Sequence, residues 1–145
     1  HRQLAEDRGF LRQVADAGTG TTVHGQVTDI QVVDQNAALV GLVSEARVRF
    51  LKHLGYTELD VEGVGIVVAD AAVQYRSEAF YGETLRLSLA TADFNDYGCD
   101  LVWLAVETSS GREVARGKQG IVFFDYSARC KARVPDVFRA RTAGA

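Results

Sequence analysis

From Asn36 to Leu54 the chain runs without a proline, and its opening stretch, NAALVGLV, is almost wholly apolar. A helix that is apolar nearly all round cannot lie on a surface and has to be enclosed by the rest of the fold. Asn36 suits the N-cap, since its side-chain oxygen can accept from a backbone N–H two or three residues on. Charges enter only later, at Glu45, Arg47, Arg49 and Lys52, with Glu45 and Arg49 in the favourable i,i+4 order. Gly55 then stands where a glycine ends a helix. The sequence therefore predicts one long helix over 36–54, buried through its first half.

What encloses it is read from the remaining pattern. TTVHGQVTD (21–29) alternates apolar and polar residues and is rich in Thr and Val, as strands are. Four further strand-like segments follow the helix: 63–76, 83–94, 100–107 and 112–126. In the second of these Leu85, Leu87 and Leu89 share one face, and Arg86, Ser88 and Ala90 the other. The links Asn95-Asp96-Tyr97-Gly98 and Ser109-Ser110-Gly111 are turn chemistry, so an antiparallel meander is expected. The economical way to bury the helix is to wrap this sheet around it. That is an α+β architecture with the topology of the hotdog fold: about five strands around one long central helix. The expected organisation is a single domain over 1–145. Residues 1–20 form an N-terminal extension, with a weakly amphipathic stretch at 4–16 broken by Gly18-Thr19-Gly20, and 127–145 a tail in which Pro135 opens a short helix at 136–140.

Composition excludes several classes. With 145 residues and 47% hydrophobic content, the chain can bury roughly 68–70% of its unfolded surface without disulfides or metal. A net charge of −3, with arginines scattered rather than clustered, argues against nucleic acid as a partner. No uncharged run approaches the ~20 residues that span a bilayer, so no membrane insertion is expected. Two isolated thiols, Cys99 and Cys130, fit a cytoplasmic location better than a secreted disulfide framework. His1, His24 and His53 match no ligand spacing, and neither GxGxxG nor GxxxxGK[ST] occurs, so neither metal nor nucleotide cofactor is expected.

Four segments in order carry a family likeness. VTDIQVVDQNAAL (27–39) is similar to a D-x-D-x-x-G-H-V-N-N-A approach to a central helix, and SEARVRFLKHLGY (44–56) to the helix body that follows it. AAVQYRSEAFYGETL (71–85) resembles a strand reading E-Y-x-x-P-x-x-Y-G-D, and REVARGKQGIVFFDY (112–126) a closing strand. Together they resemble the hydroxybenzoyl-CoA thioesterase family of hotdog acyl-CoA thioesterases. With Glu45-Ala46-Arg47 placed on the family's E-A-R, Asp29 falls on the second Asp of D-x-D and Asn36 on the second Asn. Val27 replaces the first Asp, Val33 the histidine, Gln35 the first Asn, and Glu78 the proline.

Thioester hydrolysis needs a nucleophile or base and donors for the developing oxyanion. A helix N-terminus offers free N–H groups at the positive end of its dipole, which also favours the ionised form of a nearby carboxylate. By type and place alone Asp29 is a strand-end aspartate that could equally cap local backbone. The resemblance implies that it is the catalytic base or nucleophile, that the backbone N–H of Asn36 serves the oxyanion, and that Tyr75, Phe80 and Tyr81 border the acyl group. Asp34, just before the helix, and Glu45, on it, are the fallback acids, although capping and pairing with Arg49 are their plainer roles. The expected activity is hydrolysis of an acyl-CoA or related thioester, with CoA entering only as part of the substrate. Unpaired strand edges and the resemblance together imply a homodimer or tetramer. The alternative is a non-catalytic hotdog protein that binds acyl thioesters or serves as an assembly subunit.

Overall fold

The computed structural model describes residues 25–33 and 39–142. His24, Asp34, Asn36 and the stretch 4–16 lie outside the described residues. Strand β1 (Gly25–Gln31) leads toward helix α1 (Leu39–His53), and strands β2 (Gly65–Tyr75), β3 (Thr84–Ala92), β4 (Gly98–Glu107) and β5 (Glu113–Asp125) follow. A short β6 (Cys130–Lys131) and helix α2 (Asp136–Thr142) complete the chain. Every strand pair is antiparallel.

The strand order is β1-β3-β4-β5-β2, with β6 on β5. Only β3, β4 and β5 form the expected meander. β2 instead lies at the far edge against β5, because α1 and the segment after it carry the chain past β5 before β2 begins. The link from β2 to β3, residues 76–83, therefore runs past the ends of β5 and β4 to reach β1's neighbour.

Leu85, Leu87 and Leu89 are buried beneath α1 with Leu101, Trp103, Ile121 and Phe123. Trp103 leans across β5, where a Cβ at Gly117 would come within 2.7 Å of its ring and 2.2 Å of the Ala72 carbonyl oxygen. Only glycine fits there. The Trp103 indole N–H is buried without a hydrogen-bond partner among the described residues. Ser88 and Ala90, on the opposite face of β3, are buried too, and Ala90 clusters with Ala92 and Val102.

The helix differs from its expected burial. It is buried along one stripe, Leu39, Val43, Ala46, Arg47, Phe50 and Leu51, while Val40 and Val48 are half exposed. The sheet covers one side of the helix, so an apolar sequence did not mean enclosure all round. Arg47 sits inside the stripe because its guanidinium is satisfied: Nε donates to Glu58 Oε1 at 2.9 Å and Nη1 to Gln119 Oε1 at 2.6 Å. Gly55, at a φ of 86°, ends the helix as expected, with the Tyr56 N–H returning to the Leu51 carbonyl.

Candidate active site

At the start of α1 the chain forms a cleft of about 590 Å³, lined by Leu39, Tyr75, Arg76, Ser77, Glu78, Ala79 and Val114. Three places in the fold meet there: the first turn of the helix, the end of the edge strand with its crossing link, and the start of β5. Leu39, Tyr75, Ala79 and Val114 supply apolar surface, while Arg76, Ser77 and Glu78 supply polar groups. Arg76 pairs with Glu113 at 3.2 Å, and Glu113 also holds Arg116. The Glu78 carboxylate has no hydrogen bond or ion pair among the described residues.

The crossing link is tied down at several points. The N–H groups of Arg76 and Ser77 both donate to the Val114 carbonyl, and Gly82 N–H donates to the Val32 carbonyl beside β1. Arg112, at the foot of β5, reaches across it: Nε donates to Ser77 Oγ at 3.1 Å, and Nη2 to the Glu78 carbonyl and the Glu83 carboxylate at 2.9 Å. Glu83 in turn accepts the Phe80 N–H at 2.7 Å. These donors, Arg112 first, hold the Glu83 carboxyl below its usual range.

The expected site residues occupy different places. Tyr75 lines the cleft and is 63% exposed, and Phe80 and Tyr81 stand exposed on the crossing link. Asp29 is elsewhere. On β1, Ile30 and Val32 are buried and Thr28 Oγ1 accepts from Arg49 of the helix, so strand alternation turns Asp29 to the other face of the sheet. There it makes a two-point ion pair with Arg86, its register partner on β3, at 2.9 and 3.1 Å. Glu45 is exposed on α1 and pairs with Arg49 at 2.8 Å. Asp34 and Asn36 fall in the undescribed stretch leading to the helix. Val33, where the resemblance places a histidine, is 71% exposed.

Residues 23–142 match the thioesterase-like superfamily. The chain belongs to that superfamily. A search of curated protein sequences gives no match. Among solved structures, a 1,4-dihydroxy-2-naphthoyl-CoA thioesterase from Synechocystis superposes with a TM-score of 0.72 at 14% identity, over 82% of this chain and 96% of that one. A gentisyl-coenzyme A thioesterase gives 0.66 at 18%, over 79% and 100%. A DHNA-CoA thioesterase from Staphylococcus aureus gives 0.64 at 17%, over 75% and 80%. At these identities the likeness concerns the fold, which is the hotdog arrangement of a sheet wrapped on a helix.

In this member of the thioesterase-like superfamily, the cleft brings forward residues that the sequence reading had not singled out as site residues. Glu78 is one, and its signal was a charged side chain standing where the family motif has proline. Arg112 is another. It opens the 112–126 segment, but only the folded crossing of 76–83 past β5 gives it a role. Among the described residues no group of three or more His, Cys, Asp or Glu side chains is placed to hold a metal ion, and no helix is long and apolar enough to cross a membrane.

Proposed function

We propose that this chain hydrolyses an acyl thioester, of CoA or a related carrier, to a carboxylic acid and a free thiol in the cleft at the start of α1. The observation that supports this most is the position of the cleft, which opens against Leu39, the first described residue of the helix. A carbonyl bound there meets the positive end of the helix dipole, where backbone N–H groups can donate to the oxygen on which charge develops. Attack by water on the carbonyl carbon breaks the C–S bond, and the departing sulfur takes up a proton. Asn36 N–H is proposed as an oxyanion donor, and Asp29 as the carboxylate that takes the proton from water. Tyr75, Phe80 and Tyr81 would flank the acyl group. Asp29 would have to leave its Arg86 partner and reach the substrate water from the opposite face of the sheet. Glu78 is the competing carboxylate because it lines the cleft and has no such partner among the described residues.

The test is turnover across a panel of aromatic and aliphatic acyl-CoAs, with Asp29→Asn and Glu78→Gln beside the wild type. Loss of the base should lower kcat by at least ~10²-fold, the usual scale for one acid–base group. If only Glu78→Gln falls, the acid is in the cleft and Asp29 is structural. A second reading is favoured by the Asp29–Arg86 pair and by Val33 in place of the family histidine: a binding protein or assembly subunit without catalysis. Tight binding of an acyl-CoA in calorimetry with no turnover would establish it.

The same proposal includes assembly into a homodimer or tetramer through β2. Among the described residues this strand pairs only with β5, and from Val67 to Tyr75 it is largely exposed despite its Val/Ala content. A long apolar edge of this kind is normally covered by a second strand.

A further inference from the structure

We propose that Arg112 is a positioning residue that holds the wall of the cleft in its binding shape. The proposal rests on the reading of that cleft as the substrate site and adds what keeps it formed. The crossing link 76–83 has no strand of its own to lie in, yet it supplies four of the cleft-lining residues, Arg76 through Ala79, and the exposed rings of Phe80 and Tyr81. A segment that spans the ends of two strands without ladder hydrogen bonds needs other partners to stay in place.

Backbone bonds to Val114 and Val32 hold the two ends of the link, and one side chain ties together the stretch between them. Arg112 bonds the link near its start at Ser77 Oγ, in its middle at the Glu78 carbonyl, and at its end through both oxygens of Glu83. Its guanidinium also lies 5.9 Å from the centre of the Phe80 ring. Glu83 closes the loop on itself by accepting the Phe80 N–H. The planar guanidinium matters, since Nε meets Ser77 Oγ while Nη2 meets the Glu78 carbonyl and the Glu83 carboxylate, and one ammonium has no second nitrogen at that fixed separation.

The guanidinium is itself held from behind. Arg112 follows the β4–β5 turn, and its N–H donates to Ser110 Oγ while its carbonyl accepts the Glu107 N–H. Glu107 accepts from the N–H and hydroxyl groups of both Ser109 and Ser110, which fixes the turn. The hairpin end is thus a rigid mount, and Arg112 transmits that rigidity to the cleft wall.

The experiment compares the wild type with Arg112→Lys by amide hydrogen exchange and by hydrolysis of benzoyl-CoA and decanoyl-CoA. Exchange at 76–83 should accelerate roughly tenfold or more, the scale of losing one to two charge-assisted bonds, while the urea midpoint stays close to the wild type. KM should rise by a similar factor with kcat changed little, because the wall binds the substrate and does not react with it. Arg139→Lys, which alters a bond to the Asn95 carbonyl near the other end of β3, should leave both readouts unchanged. If Arg112→Lys fails to fold, Glu83→Gln, which keeps an acceptor for Phe80 N–H but removes the ion pair, carries the same contrast. Unchanged exchange at 76–83 overturns the proposal, and so does faster exchange with an unchanged KM. A wild type that turns over neither thioester overturns the catalytic reading instead; CoA binding by calorimetry then replaces KM, and the exchange contrast still decides whether the clasp exists.

Discussion

Glu107 is a buried carboxylate surrounded by donors, and those donors, the Ser109 N–H foremost, hold its carboxyl at about 2. Its unfolded value is near the ordinary ~4.3, so its contribution to stability is complete above that value and is lost as the pH falls toward 2. Glu107→Gln should therefore flatten the acid limb of the stability profile below about pH 4.5 and leave the neutral region less affected in shape, as urea titrations at each pH would show. Cys99 shows the opposite effect: burial, reinforced by Asp100, pushes its thiol up to about 12, while Cys130 is exposed. A thiol reagent at pH 8 should modify Cys130 alone in the native protein and both cysteines in denaturant, read as a mass increase of one or two adducts. At this scale the sequence was least informative. Asp29 is recognisable by motif position, but its orientation follows from β1 pairing with β3 and the charge of Arg86 opposite, a partner far along the chain. Glu78 and Arg112 gain their places only once the link between edge strand and β3 is drawn.

At the scale of elements, strand assignment followed from local pattern and held closely. The alternation of Leu85, Leu87 and Leu89 is the inward face of β3, and Asn95 accepts from the Tyr97 and Gly98 N–H groups as a turn residue should. The unpaired backbone of the Val/Ala strand 63–76 was expected, but the place of β2 beside β5 was not legible, because nothing local names the strand it pairs with. The helix was legible in its body and its end before Gly55 but not in exposure, since an apolar sequence states what can be buried and the sheet decides which side is. This leads to a contrast. Phe50→Ala should cost about 3–5 kcal/mol through lost burial and the cavity left behind. Val40→Ala, on the exposed side, should stay within about 0.5 kcal/mol for the isolated protomer. Denaturant unfolding under two-state conditions measures both, and equal losses would mean that the buried stripe has been misplaced.

For the whole molecule, the edge of β2, unpaired among the described residues, predicts association. Light scattering at micromolar concentration should give at least twice the protomer mass, and Ala71→Lys, a charge in the middle of that edge, should shift it toward the protomer. A wild type that stays monomeric at that concentration would remove the assembly proposal. The strand order also has a consequence for how the chain acquires its shape. Asp29 meets Arg86 57 residues later, and β2 waits for β5, so the first strand, the helix and the second strand are all synthesised before their partners exist. The contiguous β3–β4–β5 hairpins need only short loops to close, whereas the flanking pairings carry a larger entropic cost and slow the search. Pulse-labelled refolding should therefore protect amides of β3 to β5 before those of β1 and β2. On the ribosome, the apolar helix and the second strand must stay soluble until the second half of the chain has emerged.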